Sequence, residues 1–416
     1  MTWPRALIML ALAASAVLAE QSGIQRGKIK RIELSRMEVT ITAGGADRTF
    51  TVTQETRIFG AESLPLGDRF KTLHEGEEIF FKPSTRDGRV VLEGIKAVDG
   101  PSPTPAAGAP APFDASRLKP LTELGAGAYH GFRGGLYPDG KNDRPAVHER
   151  AGVALARTVR PLDTAGHPDP AGKIALLSVG MSNTSQASDG FARQLAGCAE
   201  RSPRLVFVNG AQGGMTAKMT QSAEDGGSGQ RYWNAVDERL RAAGASRAQV
   251  QVVWIKQADA GPTEGFPRYA ETLEGELGNI ARTLHARFPN LKLAYLSSRT
   301  FGGFARSRLN PEPYAYESGF SVKWLIEKQI NGDPQLNFYA ARGQVRAPWL
   351  SWGPYIWANG SVHSTQALPS TEADFAGDGT HESPAGQDKV GRALLHFFLT
   401  DTTTRPWFTA TPVDKR

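Results

Sequence analysis

Two different hydrophobic patterns divide the chain. Between residues 27 and 100, short segments such as RMEVTITA, RTFTVTQ, EEIFFKP and RVVLEGIKAV alternate apolar with polar residues or are rich in Val, Ile, Phe and Thr. This pattern is typical of strands. The turn-forming sequences AGGAD and TRDGR separate them. The pattern predicts a small all-β domain of about five strands over residues 27–100.

The second pattern follows a segment rich in proline. Residues 101–112, PSPTPAAGAPAP, have no apolar period, and they predict a semi-extended linker over 101–115. In the remainder, residues 116–408, near-continuous apolar runs predict buried strands at 173–179, 204–209, 251–255 and 291–296. Amphipathic stretches predict helices at 190–199, 230–243, 267–288, 319–330 and 384–399. Such alternation predicts an α/β domain with a parallel sheet covered by helices on both faces, a three-layer α/β/α sandwich.

The N-terminal residues have the layout of an export signal. A basic start, the apolar run 6–18 and the small residue Ala19 predict a secretory signal peptide over residues 1–19. We therefore expect an exported protein, periplasmic or extracellular. No later apolar run approaches the roughly 20 residues that span a bilayer, so no membrane span is predicted. The single cysteine, Cys198, excludes an intramolecular disulfide, and we expect it to be a small buried filler.

Charge and motifs narrow the possible partners. The chain has 48 Lys+Arg against 42 Asp+Glu, a net charge of +6 that is spread along the sequence. Without a basic stripe interleaved with aromatic residues, nucleic-acid binding is not expected. The eight histidines are scattered, and neither an HExxH motif nor a dinucleotide fingerprint occurs, so we expect no metal and no other cofactor.

Candidate chemistry lies directly after the first two strands of this domain, where α/β sheets bind ligands. The sequence GMSN places Ser182 on a tight turn, which suits a nucleophile or simply caps a helix. After the second strand, NGAQGG could bring the backbone N–H groups of Gly213 and Gly214 close to an oxyanion, or could form a flexible turn.

Two further blocks complete the set. In WIKQADA, after the third strand, Gln257 is the side-chain amide, whereas the carboxylate of Asp259 would oppose a developing negative charge unless it were protonated. In DGTHES, Asp378 and His381 are three residues apart, so the carboxylate could hold one ring N–H and leave the other nitrogen as a base. The alternative is a capping turn with an exposed histidine, before a helix that starts near Pro384.

The blocks GMSN, NGAQGG, WIKQADA and DGTHES, in this order, resemble the SGNH (GDSL-type) hydrolase family over about residues 172–400. The resemblance implies a flavodoxin-like sheet, with Ser182 as nucleophile, His381 as general base and Asp378 as the residue that orients it. It also implies an oxyanion hole made by the backbone N–H groups of Ser182 and of Gly213 or Gly214, with a side-chain amide as third donor.

Two departures from the family pattern affect that expectation. Met181 replaces the usual aspartate beside the serine, which is not a triad residue. Asp259 stands where an asparagine would be expected, so either Gln257 supplies the amide or the hole is weakened. We keep both residues as candidates.

The resemblance implies a serine esterase, and export favours short, acetyl-type acyl esters of a small molecule or a polysaccharide. The loop residues Arg299 and Tyr316 are candidates for contact with a sugar, although such residues often only pack beneath loops. The alternatives are a non-catalytic carbohydrate-binding protein on a hydrolase scaffold and an acyltransferase that uses the same triad. The sequence leaves the oligomeric state open.

Overall fold

The computed structural model describes residues 25–34, 36–53, 55–59, 69–70, 73–86, 89–97, 113–306, 308–359 and 368–410. The chain divides into two compact units, Met1–Pro110 and Ala111–Arg416. The predicted signal peptide and the proline-rich part of the predicted linker lie outside the described residues.

The first unit is a small all-β domain, as predicted. Its strands are β1 (Gln25–Glu33), β2 (Glu38–Ala43), β3 (Ala46–Thr51), β4 (Arg57–Ile58), β5 (Glu78–Arg86) and β6 (Arg89–Ala97). They form one sheet of order β3-β2-β1-β5-β6-β4, and an additional β3–β6 pairing makes the sheet barrel-like. Alternate residues such as Val39 and Ile41 point inward and pack with Phe50, Phe81 and Ile95 in its core.

The second unit contains the predicted parallel sheet. Its strands are β9 (Ile174–Gly180), β10 (Leu205–Asn209), β11 (Val250–Lys256), β12 (Leu293–Leu296) and β13 (Trp349–Trp352). Their order is β10-β9-β11-β12-β13, and every neighbouring pair is parallel. A separate two-stranded hairpin joins β7 (Ala128–Tyr129) to β8 (Phe132–Arg133). The first four strands of the parallel sheet start and end within two residues of the predicted ranges, whereas β13 was not predicted.

Helices cover both faces of this sheet. They are α1 (Leu121–Leu124), α2 (Ala146–Ala156), α3 (Ser182–Ala196), α4 (Ala217–Thr220), α5 (Ser228–Ala242), α6 (Arg268–Arg287), α7 (Tyr314–Ile330), α8 (Pro384–Thr400) and α9 (Arg405–Phe408). Leu177 of β9 belongs to one buried cluster with residues of α5, α6 and α7. Leu176, its neighbour, belongs to a second cluster with residues of α3 and α8 on the opposite face. No helix among the described residues is long and apolar enough to cross a membrane.

Helix α3 begins at Ser182, eight residues before the helix predicted there. Its first turns, SNTSQASD, lack an apolar period because small and polar residues, including Thr184 and Ser188, are the ones buried. The same helix meets α8 main chain to main chain. A Cβ atom on Gly190 would lie 2.0 Å from the carbonyl oxygen of Gln387, and one on Gly391 would lie 2.5 Å from the carbonyl carbon of Gly190. Glycine is therefore required at this crossing.

Candidate active site

Ser182 is presented by the turn between β9 and α3. Strand β9 ends at Gly180, which pairs with Lys256 of the neighbouring β11. A Cβ atom on Gly180 would lie 2.2 Å from the carbonyl oxygen of Lys256, so only glycine fits there. The chain then turns through Met181 into the first residue of α3. This places the half-buried Ser182 at the carboxyl end of the sheet, next to the end of β11.

The structure brings Ser182, His381 and Asp378 together. Ser182 Oγ lies 2.8 Å from His381 Nε2, and His381 Nδ1 lies 2.5 Å from Asp378 Oδ2. The other carboxylate oxygen of Asp378 accepts the backbone N–H groups of Thr380 and His381, at 3.0 and 2.9 Å. The side chains of His381 and Asp378 are 21% and 28% exposed, so solvent and small molecules reach them.

The Asp378 carboxyl stays ionised at neutral pH. Burial raises its pKa, but hydrogen bonds from the His381 ring and from the backbone of His381 and Thr380 outweigh burial and hold the pKa well below its usual value. An ionised Asp378 keeps the proton of His381 on Nδ1. The unprotonated Nε2 then faces the Ser182 hydroxyl and can accept its proton.

The glycine loop adjoins the serine. A Cβ atom on Gly213 would lie 3.8 Å from Ser182 Cβ, and the N–H of Gln212 donates to the Gly180 carbonyl at 3.0 Å. Gly213 and Gly214 are exposed. Within the described part of the chain, neither of them donates its backbone N–H to another protein group. The loop thus offers uncommitted backbone donors, and a side chain built on Gly213 would contact Ser182.

The structure corrects the expectation that Gln257 supplies a side-chain donor. Its Nε2 atom donates to the carbonyl of Met215 at 2.9 Å and to Thr220 Oγ1 at 3.1 Å. Both amide protons are used inside the protein, and the side chain is buried. Gln257 therefore supports the glycine loop and has no proton left for a ligand.

Asp259 is likewise held as an acceptor. Its Oδ1 accepts the backbone N–H of Lys218 at 3.1 Å. Burial of Glu276, followed by the charge of the nearby Asp259 carboxylate, raises the pKa of Glu276. In this arrangement Asp259 supplies no third oxyanion donor, which corrects that expectation.

Arg299 and Tyr316 do not form a stacking surface. They are only 3% and 1% exposed. Tyr316 packs in edge-to-face contacts with Tyr129 and Trp357, with ring centroids 5.1 and 4.8 Å apart. The sequence expectation that these two side chains contact substrate is corrected, because long-range packing covers both of them.

The sequence did not predict an ion pair that lies next to the site. Lys256 Nζ lies 2.6 Å from Glu382 Oε1, and the two side chains are 0% and 1% exposed. Lys256 ends the strand VQVVWIK, in which Gln251 is the other polar residue. A lysine at the end of such a buried strand was the signal that could have indicated a buried charge. Burial lowers its pKa, and Glu382 opposes that shift. The pair ties the residue after His381 to the end of β11.

Two remaining expectations concern a metal and the cysteine. Among the described residues, no group of three or more His, Cys, Asp or Glu side chains could hold a metal ion. Cys198 follows the end of α3 as a free thiol and is partly exposed, so it is not the fully buried filler that we expected.

Comparisons with known proteins show distant structural likeness only. No family model matches the chain, and a search of curated proteins found no relative. Among solved structures, the lipase Lip_vut3 from a goat rumen metagenome is similar at 12% identity, covering 54% of this chain and 97% of its own, with a TM-score of 0.33. The periplasmic domain of a lipopolysaccharide acetyltransferase from Salmonella ser. Paratyphi A is similar at 11% identity, covering 61% and 97%, with a TM-score of 0.30.

A further likeness involves a smaller part of the chain. Apo-CusF from Escherichia coli is similar at 17% identity, covering 19% of this chain and 93% of its own, with a TM-score of 0.15.

Proposed function

We propose that this protein is an exported serine esterase of the SGNH (GDSL-type) hydrolase class, which hydrolyses short, acetyl-type acyl esters carried by a carbohydrate. The observation that carries the proposal is the continuous chain of hydrogen bonds from Asp378 through His381 to Ser182. The free N–H groups of the glycine loop beside that serine support it.

The proposed reaction has two steps. Ser182 Oγ attacks the ester carbonyl carbon while His381 Nε2 takes the hydroxyl proton, and collapse of the tetrahedral intermediate releases the alcohol with that proton. Water then attacks the acyl-serine by the same route and releases the carboxylic acid. No step requires a metal or another cofactor.

The oxyanion would be held by main-chain groups. Gly213 and Ser182 supply N–H donors, and Ser182 is also the first residue of α3, whose N-terminus favours negative charge. Loss of one oxyanion donor in other serine hydrolases costs on the order of 10²–10³ in rate. With Gln257 and Asp259 both committed as described above, we expect turnover to be slower than a three-donor site would give.

The lack of a third side-chain donor favours a second candidate, a carbohydrate-binding protein that has kept the scaffold without turnover. Gln257 and Asp259 both bind groups of the protein itself. The two candidates differ in what removal of the serine hydroxyl does, because only catalysis depends on it.

The test is hydrolysis of p-nitrophenyl acetate and of acetylated polysaccharide by the purified protein. Activity should disappear in Ser182→Ala and in His381→Ala. Ser185→Ala is the matched control, because it removes a hydroxyl one turn along the same helix and should leave activity unchanged. If the wild type hydrolyses neither substrate but binds the polysaccharide as tightly as Ser182→Ala does, the esterase proposal is wrong and the binding protein stands.

A further inference from the structure

The buried side chain of Asn183 bridges the two halves of the site. It directly follows Ser182, and its Nδ2 atom donates to the carbonyl of Thr380 at 2.6 Å. Its Oδ1 atom accepts from Arg299 Nη2 at 3.1 Å. Thr380 directly precedes His381, so one amide joins the helix of the serine to the loop of the histidine.

Arg299 decides which way this amide points. The two ends of an asparagine amide have almost the same shape, and only their hydrogen-bond partners distinguish them. A guanidinium only donates, so it fixes the oxygen of Asn183 toward itself and the NH₂ group toward the carbonyl of Thr380. Arg299 is itself held, since its Nε donates to Asn310 Oδ1 at 3.0 Å and its backbone N–H donates to Ser318 Oγ at 3.2 Å.

Neutral side chains hold the guanidinium of Arg299, and the charge of Glu382 favours it only from beyond contact distance. Arg299 forms no ion pair with a carboxylate among the described residues, and its Nη1 atom is buried there without a hydrogen-bond partner. The two side-chain oxygens that accept hydrogen bonds from its guanidinium, Asn183 Oδ1 and Asn310 Oδ1, belong to neutral amides. Burial of a cation without a contacting carboxylate costs free energy, which an apolar side chain of similar size would avoid.

His381 is held on both sides in a comparable way. Asn183 binds the residue before it, and Lys256 binds the side chain of Glu382 after it. The backbone N–H of Glu382 also donates to Gln186 Oε1, one turn beyond Asn183, at 3.1 Å. The histidine loop is thus fixed to α3 and to β11 through the neighbours of His381.

We infer that Arg299 and Asn183 are positioning residues for the Ser182–His381 pair: Arg299 orients the Asn183 amide, and Asn183 holds the His381 loop within reach of Ser182. This inference rests on the proposed function. It gives Arg299 a role behind the site, in place of the contact with substrate that its sequence position suggested.

Asn183→Asp is the sharpest test. The new carboxylate keeps the contact with Arg299, and indeed pairs with its charge, but turns an acceptor toward the Thr380 carbonyl, which also only accepts. A displacement of about 1 Å in a catalytic group can cost about 10²-fold in rate, so we expect kcat to fall about 10²-fold while KM stays unchanged. A purely structural role predicts no fall, because the variant retains the partner of the buried arginine.

Arg299 is tested by a matched pair of variants. Arg299→Met removes the donor and should lower kcat to a similar extent. Arg299→Lys still donates to Asn183 Oδ1 and should recover part of the loss. Arg144→Met is the control for removing an arginine whose side chain is only 9% exposed. Arg144 is paired with Glu149 and Asp401 and makes none of the contacts above. The substitution should lower the melting temperature without changing the kcat of folded protein.

A spectroscopic readout makes the test independent of substrate. The proton shared by His381 Nδ1 and Asp378 should give a low-field ¹H resonance in the wild type and in Arg144→Met, and this resonance should shift or broaden in Asn183→Asp and Arg299→Met. Unchanged kcat and resonance in Asn183→Asp would overturn the inference, as would an equal loss of kcat in Arg144→Met.

Failure of this inference can be distinguished from failure of the proposed function. If the wild type is active and its turnover depends on Ser182, the proposed function stands even when the inference fails. Absence of ester turnover and of serine labelling by a fluorophosphonate would instead overturn the proposed function, and the resonance would still decide the positioning.

Discussion

The role proposed for Asp378 depends on the position of a single proton, the one on His381 Nδ1. Its carboxylate accepts three hydrogen bonds, two of them from the backbone, and these hold its pKa low although it is half-buried. An asparagine in its place would keep its oxygen with the two backbone N–H groups of Thr380 and His381, so its NH₂ group would face Nδ1 and donate to it. The ring proton would then move to Nε2, and the base would be lost.

Asp378→Asn should therefore lower kcat for ester hydrolysis by about 10⁴-fold, the size of the effect seen for this change in another serine hydrolase triad. Asp374→Asn is the control, because Asp374 accepts from Thr371 in the same loop and pairs with Lys389 without touching His381. Steady-state kinetics of both variants would check this, and an Asp378→Asn enzyme within tenfold of wild type would contradict it.

For individual residues, the sequence predicted the features that depend on short spacings along the chain. Ser182 and the Asp378–His381 pair follow from local turns and from block order. The sequence could not predict in the same way what surrounds Arg299, Tyr316 and Gln257. Their partners lie elsewhere in the sequence: Arg299 binds Asn310, and Gln257 binds Thr220.

The elements that hold the site are α3 and α8. Amphipathic periodicity predicted most of α8, but it missed the first turns of α3, where small polar residues are buried, and β13, whose four residues WLSW are too few to show a period. The sequence also could not predict the crossing of α3 with α8, because it depends on two glycines that lie far apart in the sequence, Gly190 and Gly391.

Gly391→Ala should destabilise the protein. Its new Cβ would meet main-chain atoms of Gly190 and Phe191 at 2.5–2.7 Å, and the helices would have to separate, at a cost of about 1–3 kcal/mol. Gly275→Ala is the matched control, because Gly275 lies in α6 with nothing within 4 Å of the new atom. That change should stabilise the helix by about 0.5–1 kcal/mol. Urea unfolding of both variants measures the change in the free energy of unfolding, which should be negative for Gly391→Ala and positive for Gly275→Ala. A Gly391→Ala protein as stable as the wild type would refute the close crossing.

For the whole molecule, the sequence predicted an all-β region followed by an α/β unit with a parallel sheet, and the structure confirms both. The sequence did not reveal that two acidic side chains, one in α7 and one in the loop before it, are buried. Burial raises the pKa of Glu312 to about 7 and that of Glu317 to about 7, above the ordinary value of 4.5. Hydrogen bonds to Glu312 from Gly302 and Trp357, and to Glu317 from Tyr129, oppose the shifts without cancelling them.

These two acids should make the protein less stable as the pH rises from about 4.5 to about 7. In that window the unfolded chain has lost protons that the folded protein still binds, so the free energy of unfolding decreases with pH. Glu317→Gln stays neutral and can still accept from the Tyr129 hydroxyl. Urea unfolding at pH 5 and pH 8 should therefore show a smaller decrease for this variant, by on the order of 1 kcal/mol. Equal decreases in variant and wild type would contradict the assignment to Glu317.

The contact of α3 with α8 has a consequence for engineering. Ser182 opens one helix and His381 lies just before the other, and the two main chains touch at Gly190 and Gly391. The contact of the two main chains therefore sets the distance between the helix that carries Ser182 and the helix that follows His381, while the side chains of Asn183 and Lys256 fix the loop before the second helix. Redesign of the outer faces of both helices should leave the Ser182–His381 spacing unchanged. A graft of the two helices onto another parallel sheet would have to include Arg299 and Lys256 as well.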